Sequence, residues 1–431
     1  MNEHDSEKMS LMLEQLGFTA VSAADQADVI IINTCSIREK AEHKVYSALG
    51  KLKSLKTRNP HLVTVVAGCV AQQEKDRLLK RVGHLDVVLG AHRIADLPQL
   101  VEQVRNSRVR IARTEFSRDV ESLHVPAPRK GPSEVCSYVT IMQGCSNFCA
   151  YCVVPFTRGP EQSRPAPEIL EEVRELVGKG VREITLLGQN VNAYGNDLNG
   201  PNSHSFVALL EMLNDISGLD RIRFTTSHPR DFHEDLAVAM ANLASVCEHI
   251  HLPLQSGSDR VLAAMRRGYT REQYLQKIDM LRSRMPGVAV TADMIVGFPG
   301  ETDEDFEETL IALEKIKFDQ IFSFKYSRRP GTAAQSIPDQ IPEEVKVRRL
   351  AQVHASQDAI TQEYHRRLEG KKEEVLVEGV RESGQFYGRT RANKVVNLDS
   401  SHALAIGEVA QVRIVRGLKH SLVAELLTQT P

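Results

Sequence analysis

The sequence predicts an α/β chain in three parts: an N-terminal parallel α/β domain, a partial (β/α)6 barrel and a small C-terminal β-barrel. Three observations carry this. Short apolar runs alternate with amphipathic helical stretches over residues 1–107. The same alternation recurs as six βα units over 136–362, and from residue 364 it gives way to five short strands broken by glycine.

The first part opens on a helical stripe, Met9, Leu11, Met12, Leu13 and Leu16, within Asp5 to Leu16. Apolar runs at 28–33 (DVIIIN), 62–67 (LVTVVA) and 86–89 (DVVL) have the unbroken hydrophobicity of parallel strands buried on both faces. Met1 to Met9 read as the loop and helix that should follow a first strand, and that strand is missing from the sequence. The expectation is a domain entered after its first strand.

Residues 117–135 hold three prolines and mixed charge without periodicity, which marks a linker. Strand-like runs then follow at 137–142, 183–187, 222–227, 249–254, 289–296 and 321–326. Helices lie between them at 168–177, 206–216, 271–284 and 303–316, with start boxes at Thr270/Gln273 and Thr302/Asp305. Six βα units predict an incomplete version of the eight-fold barrel, with its site at the strand carboxyl ends. Those ends are polar and Gly-rich, around Gly188-Gln189-Asn190, Ser227-His228, Gln255-Ser256-Gly257 and Gly297-Phe298-Pro299-Gly300. One such loop is an ordinary turn; four on one rim suit a cofactor pocket.

Five strands at 373–380, 386–389, 394–398, 408–415 and 421–426 fit a closed barrel over 364–428. Residues 364–431 contain 11 Lys/Arg against 8 Asp/Glu, and Arg389, Arg391 and Lys394 cluster beside Tyr387. Basic residues interleaved with an aromatic suit RNA backbone and base stacking. A charged barrel surface without a partner is the alternative.

Composition places the 431 residues in the soluble globular class, at 42% hydrophobic, 26% charged and net charge −2. No apolar run approaches a membrane span and the N-terminus has no signal-peptide character, so a cytoplasmic protein with reduced thiols is expected. Near-neutral charge excludes a bulk electrostatic grip on nucleic acid while leaving room for a local basic surface.

Three of the seven cysteines, Cys145, Cys149 and Cys152, form a C-x3-C-x2-C pattern directly after the first barrel run. Three thiolates on an Fe–S cluster leave one iron without a protein ligand, and an open iron is a place for chemistry. A zinc site would need a fourth ligand, and no Cys or His pair follows at the usual spacing. A redox pair of Cys149 and Cys152 would leave Cys145 unexplained, and a disulfide framework does not suit so long and cysteine-poor a chain. Cys35 and Cys69 each follow an apolar run of the first domain, so both belong to one rim; singly they read as buried apolar cysteines, together as a second cluster. Arg158, Glu161 and Arg164, just after the triad, are candidates for an anionic substrate or the cluster loop, or a solvated run.

The triad with Tyr151 before its last cysteine resembles the signature of radical S-adenosylmethionine (SAM) enzymes. With all three parts in hand, the chain resembles the methylthiotransferases of that class over nearly its full length: an N-terminal methylthiotransferase domain, a radical SAM core and a C-terminal TRAM domain. Stretches 33–41 (NTCSIREKA), 143–149 (QGCSNFC), 188–192 (GQNVN), 225–229 (TTSHP) and 251–258 (HLPLQSGS) are similar to members acting on N6-(dimethylallyl)adenosine in tRNA. Sister enzymes that modify threonylcarbamoyl-adenosine in tRNA or a ribosomal-protein aspartate share the cluster motifs.

The resemblance implies two 4Fe-4S clusters and SAM. Cys145, Cys149 and Cys152 would hold the cluster that binds SAM; Tyr151, Gly188, Gln189, Asn190, Ser227, Gln255 and Gly297 would line the SAM pocket. Cys35 and Cys69 would match two of three auxiliary-cluster ligands, the third lying in the pattern Cys-Gln-Met-Asn, of which Met1-Asn2 is the tail. A labile auxiliary cluster and a sheet short of one strand are therefore expected. Implied partners are tRNA, held by the TRAM domain, an electron donor such as a flavodoxin or ferredoxin, and a sulfur or cluster supplier, with the enzyme a monomer. A non-catalytic Fe–S RNA-binding protein is the reading of another class, and it leaves the polar barrel rim idle.

Overall fold

The computed structural model describes residues 1–35, 40–117, 134–200, 203–399 and 404–427, so most of the expected linker lies outside the described residues. In the first layer β1 (Val29–Thr34), β2 (Val63–Gly68), β3 (Val87–Leu89) and β4 (Ile111–Arg113) form a parallel sheet in that order. Its helices are α1 (Asn2–Gln15), α2 (Lys40–Arg58), α3 (Cys69–Glu74), α4 (Asp76–Arg81) and α5 (Leu97–Ser107). Met9 and Met12 of α1 and Leu97 and Val101 of α5 cover one face at Val63, Val65 and Val87; Val45, Leu49 and Leu78 cover the other at Val66 and Val88. Burial on both faces is why the strands read as unbroken apolar runs. β1 is an edge strand, half-buried throughout. β4 lies beyond the expected boundary at 107; three residues ending in an exposed arginine make no apolar run.

The second part begins with β5 (Cys136–Thr140). The short antiparallel pair β6 (Met142–Gln143) and β7 (Gln162–Ser163) follows, joined Met142 to Ser163 and Gln143 to Gln162. Then come β8 (Glu183–Leu187), β9 (Arg221–Phe224), β10 (His249–His251), β11 (Ala289–Val296) and β12 (Gln320–Lys325), all parallel to their neighbours. A bridge from Ile222 to Val246 and the bond from Ser227 N–H to the His251 carbonyl, 3.3 Å, join the two halves into one curved six-stranded sheet. Helices α6 (Val154–Thr157), α7 (Ala166–Gly178), α8 (Phe206–Asn214), α9 (Glu234–Asn242), α10 (Asp259–Ala264), α11 (Arg271–Arg284) and α12 (Asp303–Ile316) lie between the strands, and both expected capping boxes form. Strand alternation turns Val139, Ile184, Phe224, Ile250, Met294 and Ile321 into the helix-covered core, leaving Tyr138, Thr185, His251, Asp293 and Phe322 on the other, concave face. β9 stops short of its apolar run where Thr226 takes positive φ, 69°; β10 stops before Pro253, which has no N–H to give, and pairing with β11 resumes at Gln255 through a bridge to Met294.

Helix α13 (Glu343–Leu368) leads into the closed barrel β13 (Lys372–Val380), β14 (Phe386–Thr390), β15 (Val395–Asp399), β17 (Leu422–Leu426) and β16 (Val409–Gly417). This barrel docks on the amino ends of the core strands. Arg221, fully buried, donates to the Arg389 carbonyl at 2.7 Å and to Glu374 at 2.8 Å. Arg223 donates to the carbonyls of Thr390 and Arg391 at 2.8 Å each while pairing with Glu183 at 2.8 Å. Buried guanidinium groups need their donors matched, and here barrel backbone supplies most of the match, with Arg221 Nε left over.

No helix among the described residues is long and apolar enough to cross a membrane. Arg223→Ala should leave buried Glu183 with only the longer Arg221 contact, 3.8 Å, and lower stability by about 3 kcal/mol. It should also raise hydrogen exchange in 372–380 and 386–390 above that of the core strands, read by mass spectrometry.

Candidate functional site

The cysteine triad sits in a loop that leaves at Gln143 and returns at Gln162, its base closed by the β6–β7 pair. Gly144 enters the loop at φ +83, where a Cβ would lie 1.9 Å from the Pro160 carbonyl oxygen, so only glycine lets the two limbs approach. Cys145 N–H donates to the Gly159 carbonyl at 3.0 Å and Ala150 N–H to the Met265 carbonyl at 2.9 Å, which ties the loop to the turn after α10. Glu161 accepts from Ser146 N–H at 3.3 Å and from Asn190 at 3.4 Å, and so holds the loop.

Burial pushes the Cys145 thiol up to about 11 and the Cys152 thiol up to about 12. Without a compensating cation both stay protonated; a metal centre reverses this by favouring the thiolate. Asn147 reaches the Cys145 sulfur and the Val154 N–H the Cys152 sulfur, each at 3.5 Å, while Arg267, buried, reaches the Cys149 sulfur at 3.3 Å. Among the described residues, the His, Cys, Asp and Glu side chains whose ligand atoms all fall within 4.8 Å are Cys136, Glu183 and Glu378. The three triad sulfurs do not all lie within that distance of one another. The Cys136 group belongs to the domain junction, where Arg221, Arg223 and Arg389 already offset its carboxylates.

Cys35 and Cys69 meet across the carboxyl ends of β1 and β2. Gly68, at φ +88, permits this: a Cβ there would lie 2.4 Å from the Asn33 side chain and 2.6 Å from the Thr34 carbonyl. A hydrogen bond with Cys35, and then the neighbouring Arg158, pull the Cys69 thiol well below the usual range against the effect of burial. Arg158 also pairs with Asp5 of α1 at 2.6 Å, and its carbonyl meets His92 Nε2 at 2.7 Å. Gln189 accepts from Gly144 N–H at 2.5 Å and its amide meets the Met1 sulfur, while the Met1 amino group lies in the field of Asp5, Arg158 and Cys35. Both cysteine sets therefore border one space.

The expected pocket residues line the same rim. Tyr151 hydroxyl receives Arg267 at 3.4 Å; Gly188 packs on Met142; Asn190 donates to Asp231 at 2.8 Å; Ser227 is buried; Gln255 stands at the end of β10; Gly297 N–H donates to Glu301 at 2.6 Å. Five buried polar atoms here have no protein partner: Gln143 Nε2, Asn190 Oδ1, Ser227 Oγ, His228 Nε2 and Tyr326 Oη. Each such atom costs about 1–3 kcal/mol unless something satisfies it, so the rim is built for a polar ligand.

Arg164 is a structural residue, fully buried with Glu172 at 2.7 Å and the Thr140 carbonyl at 2.7 Å, and does not face a substrate. Arg389, Arg391 and Lys394 do not form an outward basic patch. Arg391 pairs with Glu248 at 2.7 Å and Lys394 with Asp319 at 2.7 Å, both on the core, and Arg389 with Glu378 at 3.6 Å. Arg267 was missed by sequence reasoning, because it sits in no periodic or spaced pattern; His228 was named only as part of a polar strand end, without a role.

His228 accepts from Arg230 N–H through Nδ1, which puts the ring proton on Nε2. Burial first, then Arg267, Arg230 and Lys277, pull it down to about 2. An unfolded histidine takes up a proton near 6.5, so below that pH the unfolded state binds more protons and stability falls as pH falls. His228→Gln is expected to flatten this acid limb, measured by urea midpoints at pH 7.5 and 5.5.

Comparison with known proteins agrees with this anatomy. Residues 139–313 match the Radical SAM superfamily, 1–90 the Uncharacterized protein family UPF0004, and 366–427 the TRAM domain. In fold the chain is similar to a radical S-adenosylmethionine methyltransferase from Kitasatospora setae, solved with a tryptophan substrate and a SAM analogue. The TM-score is 0.59 at 14% identity, over 78% of this chain and 72% of that one. A tRNA-2-methylthio-N(6)-dimethylallyladenosine synthase of Syntrophus aciditrophicus is 46% identical over 100% of this chain and 93% of its own length. The enzyme of that name from Geobacter metallireducens is 48% identical over 99% and 96%. With such identity along its whole length, and with the three matched regions in the order of the three structural parts, the chain belongs to the tRNA-2-methylthio-N(6)-dimethylallyladenosine synthase family of radical SAM enzymes.

Proposed function

We propose that the chain transfers a methylthio group to C2 of N6-(dimethylallyl)adenosine in tRNA, at the base immediately 3′ of the anticodon, using two 4Fe-4S clusters and SAM. The observation that carries this is the meeting of two cysteine sets on one polar rim, linked by Arg158 and Gln189. Cys145, Cys149 and Cys152 would hold the first cluster, and Cys35 and Cys69 contribute to the second. Tyr151, Gly188, Gln189, Asn190, Ser227, Gln255 and Gly297, with the unpartnered atoms of Gln143, His228 and Tyr326, suit the polar groups of SAM. When bound, these groups supply one-electron chemistry at an unactivated carbon and the sulfur to be transferred.

The chain's own residues bind, orient and shield. Arg267 donates to the Cys149 sulfur and spreads its negative charge, and Arg158 does the same for Cys69. Neutral His228 offers an Nε2 proton without bringing a second positive charge to the site. The C-terminal barrel covers the amino end of the core and keeps water from that side, so the base is presented from the rim. Residues 1–107 thus serve the auxiliary cluster, 136–362 the radical chemistry and 364–428 the tRNA. With Arg389, Arg391 and Lys394 engaged at the domain junction, RNA contact passes to outward residues such as Arg381, which lies 5.1 Å over the Tyr387 ring. A flavodoxin or ferredoxin as electron donor, a cluster-derived sulfur supply, a cytoplasmic location and a monomer complete the proposal.

The test is anaerobic reconstitution with iron and sulfide analysis, followed by incubation with SAM, reductant and a dimethylallyl-adenosine tRNA. Two clusters falling to one in the Cys145, Cys149, Cys152 triple Ala variant, with a methylthio product by mass spectrometry in the unmutated protein alone, is expected. Zinc without iron, or iron without any SAM cleavage, would overturn it. Arg267→Leu should lower the potential of the loop cluster in a redox titration followed by electron spin resonance and cost about 10–100-fold in activity.

A further inference from the structure

Two large side chains on the concave face belong to neither the cysteine loop nor the polar rim. Phe322 and Phe324 of β12 are 47% and 41% exposed. Their registers are Asp293 to Phe322 and Ile295 to Phe324, so the rings share a face with Asp293 and Ile295, while Ile321, just before them, turns into the helix-covered core. The Phe322 ring meets His251 edge-on at 6.0 Å across β11. His251 holds Thr291 Oγ1 at 3.0 Å through Nδ1 and lies 3.5 Å from Asp293 through Nε2. Toward the rim, Ile295 and Tyr151 pack on one buried group that includes Ala150 of the cysteine loop and Phe298. An apolar strip therefore runs from Phe322 through Phe324 and Ile295 to the cysteines, with a polar His251–Asp293 edge.

We infer that this strip seats the target base and its N6 substituent, and so selects which N6-substituted adenosine is accepted; the inference rests on the methylthiotransferase reading above. A dimethylallyl group is branched, apolar and uncharged, and it suits Ile295 together with Phe322 and Phe324, whose rings are otherwise left against water. The one hydrogen remaining on N6 finds an acceptor in the Asp293 carboxylate, positioned by His251. Unmodified adenosine would leave both rings wet. Threonylcarbamoyl-adenosine would bring a carboxylate against two aromatic faces and beside Asp293, which is penalised by desolvation and by like charge. The same residues thus attract one substrate and repel its nearest rival.

The experiment uses anticodon stem-loop hairpins carrying dimethylallyl-adenosine, unmodified adenosine or threonylcarbamoyl-adenosine with the reconstituted full chain. Binding is read by fluorescence anisotropy and product by mass spectrometry. One methylene in an apolar pocket is worth about 10–200-fold, so the unmutated protein should bind the dimethylallyl hairpin at least about 10-fold tighter than the unmodified one. Phe322→Ala with Phe324→Ala should shrink that gap to about threefold or less, whereas Phe322→Leu with Phe324→Leu should keep most of it. Asp293→Asn should strengthen binding of the threonylcarbamoyl hairpin relative to the dimethylallyl one. Iron content and unfolding midpoint, equal across the variants, establish that the fold is intact. A gap unchanged in the double Ala variant, or equal weakening for all three hairpins, would overturn the assignment. Preference for the dimethylallyl hairpin without any methylthio product would instead refute the reaction and leave the seat in place.

Discussion

A guanidinium buried between two domains sets the arrangement of this protein. Arg158 follows the cysteine loop of the core, yet its charge is matched by Asp5 of α1 and by Cys69 at the end of β2. Such a cation, once out of water, holds its partners in place because losing either leaves an unmatched charge in low dielectric. The consequence is geometric. The carboxyl ends of the first sheet are pinned against the carboxyl rim of the second, and two sets of thiols face each other rather than opposite sides of the molecule.

The core has a different logic at each end. At its carboxyl rim polar atoms are left without protein partners, and the backbone turns through positive φ at Thr226 and Gln255 to present them. At its amino end the charged groups are largely taken up by docking: Arg221, Arg223, Glu248 and Asp319 find partners on the C-terminal barrel, while Arg221 Nε, Glu183 Oε2 and Glu378 Oε1 are left without a hydrogen bond. Unsatisfied groups lower stability and satisfied ones restore it, so chemistry and docking occupy the two ends without competing.

Local signals in the sequence foretold much of this. Apolar runs, capping boxes and glycine-broken strands located six core strands and five barrel strands to within a few residues, since each depends on neighbours in sequence. The cysteine triad and the Gly-rich strand ends were legible for the same reason. Long-range charge pairing was not: Arg391 and Lys394 looked like an RNA-facing patch until their partners at 248 and 319 came into place. Arg267 left no periodic trace, His228 stood out only as one residue of a polar strand end, and β4 was too short and polar to register. Asp5 resembled an ordinary acidic helix start, and only the fold brings Arg158 to it.

Among the described residues β5 and β12 are not paired with each other, so the curved sheet has a lateral gap where a closed eight-stranded barrel would have a wall. A sealed wall admits only what can descend through the mouth. A split wall leaves room beside the mouth for the chain on either side of one nucleotide presented at the rim. An unfinished cylinder has room for a macromolecular guest as well as for a small one.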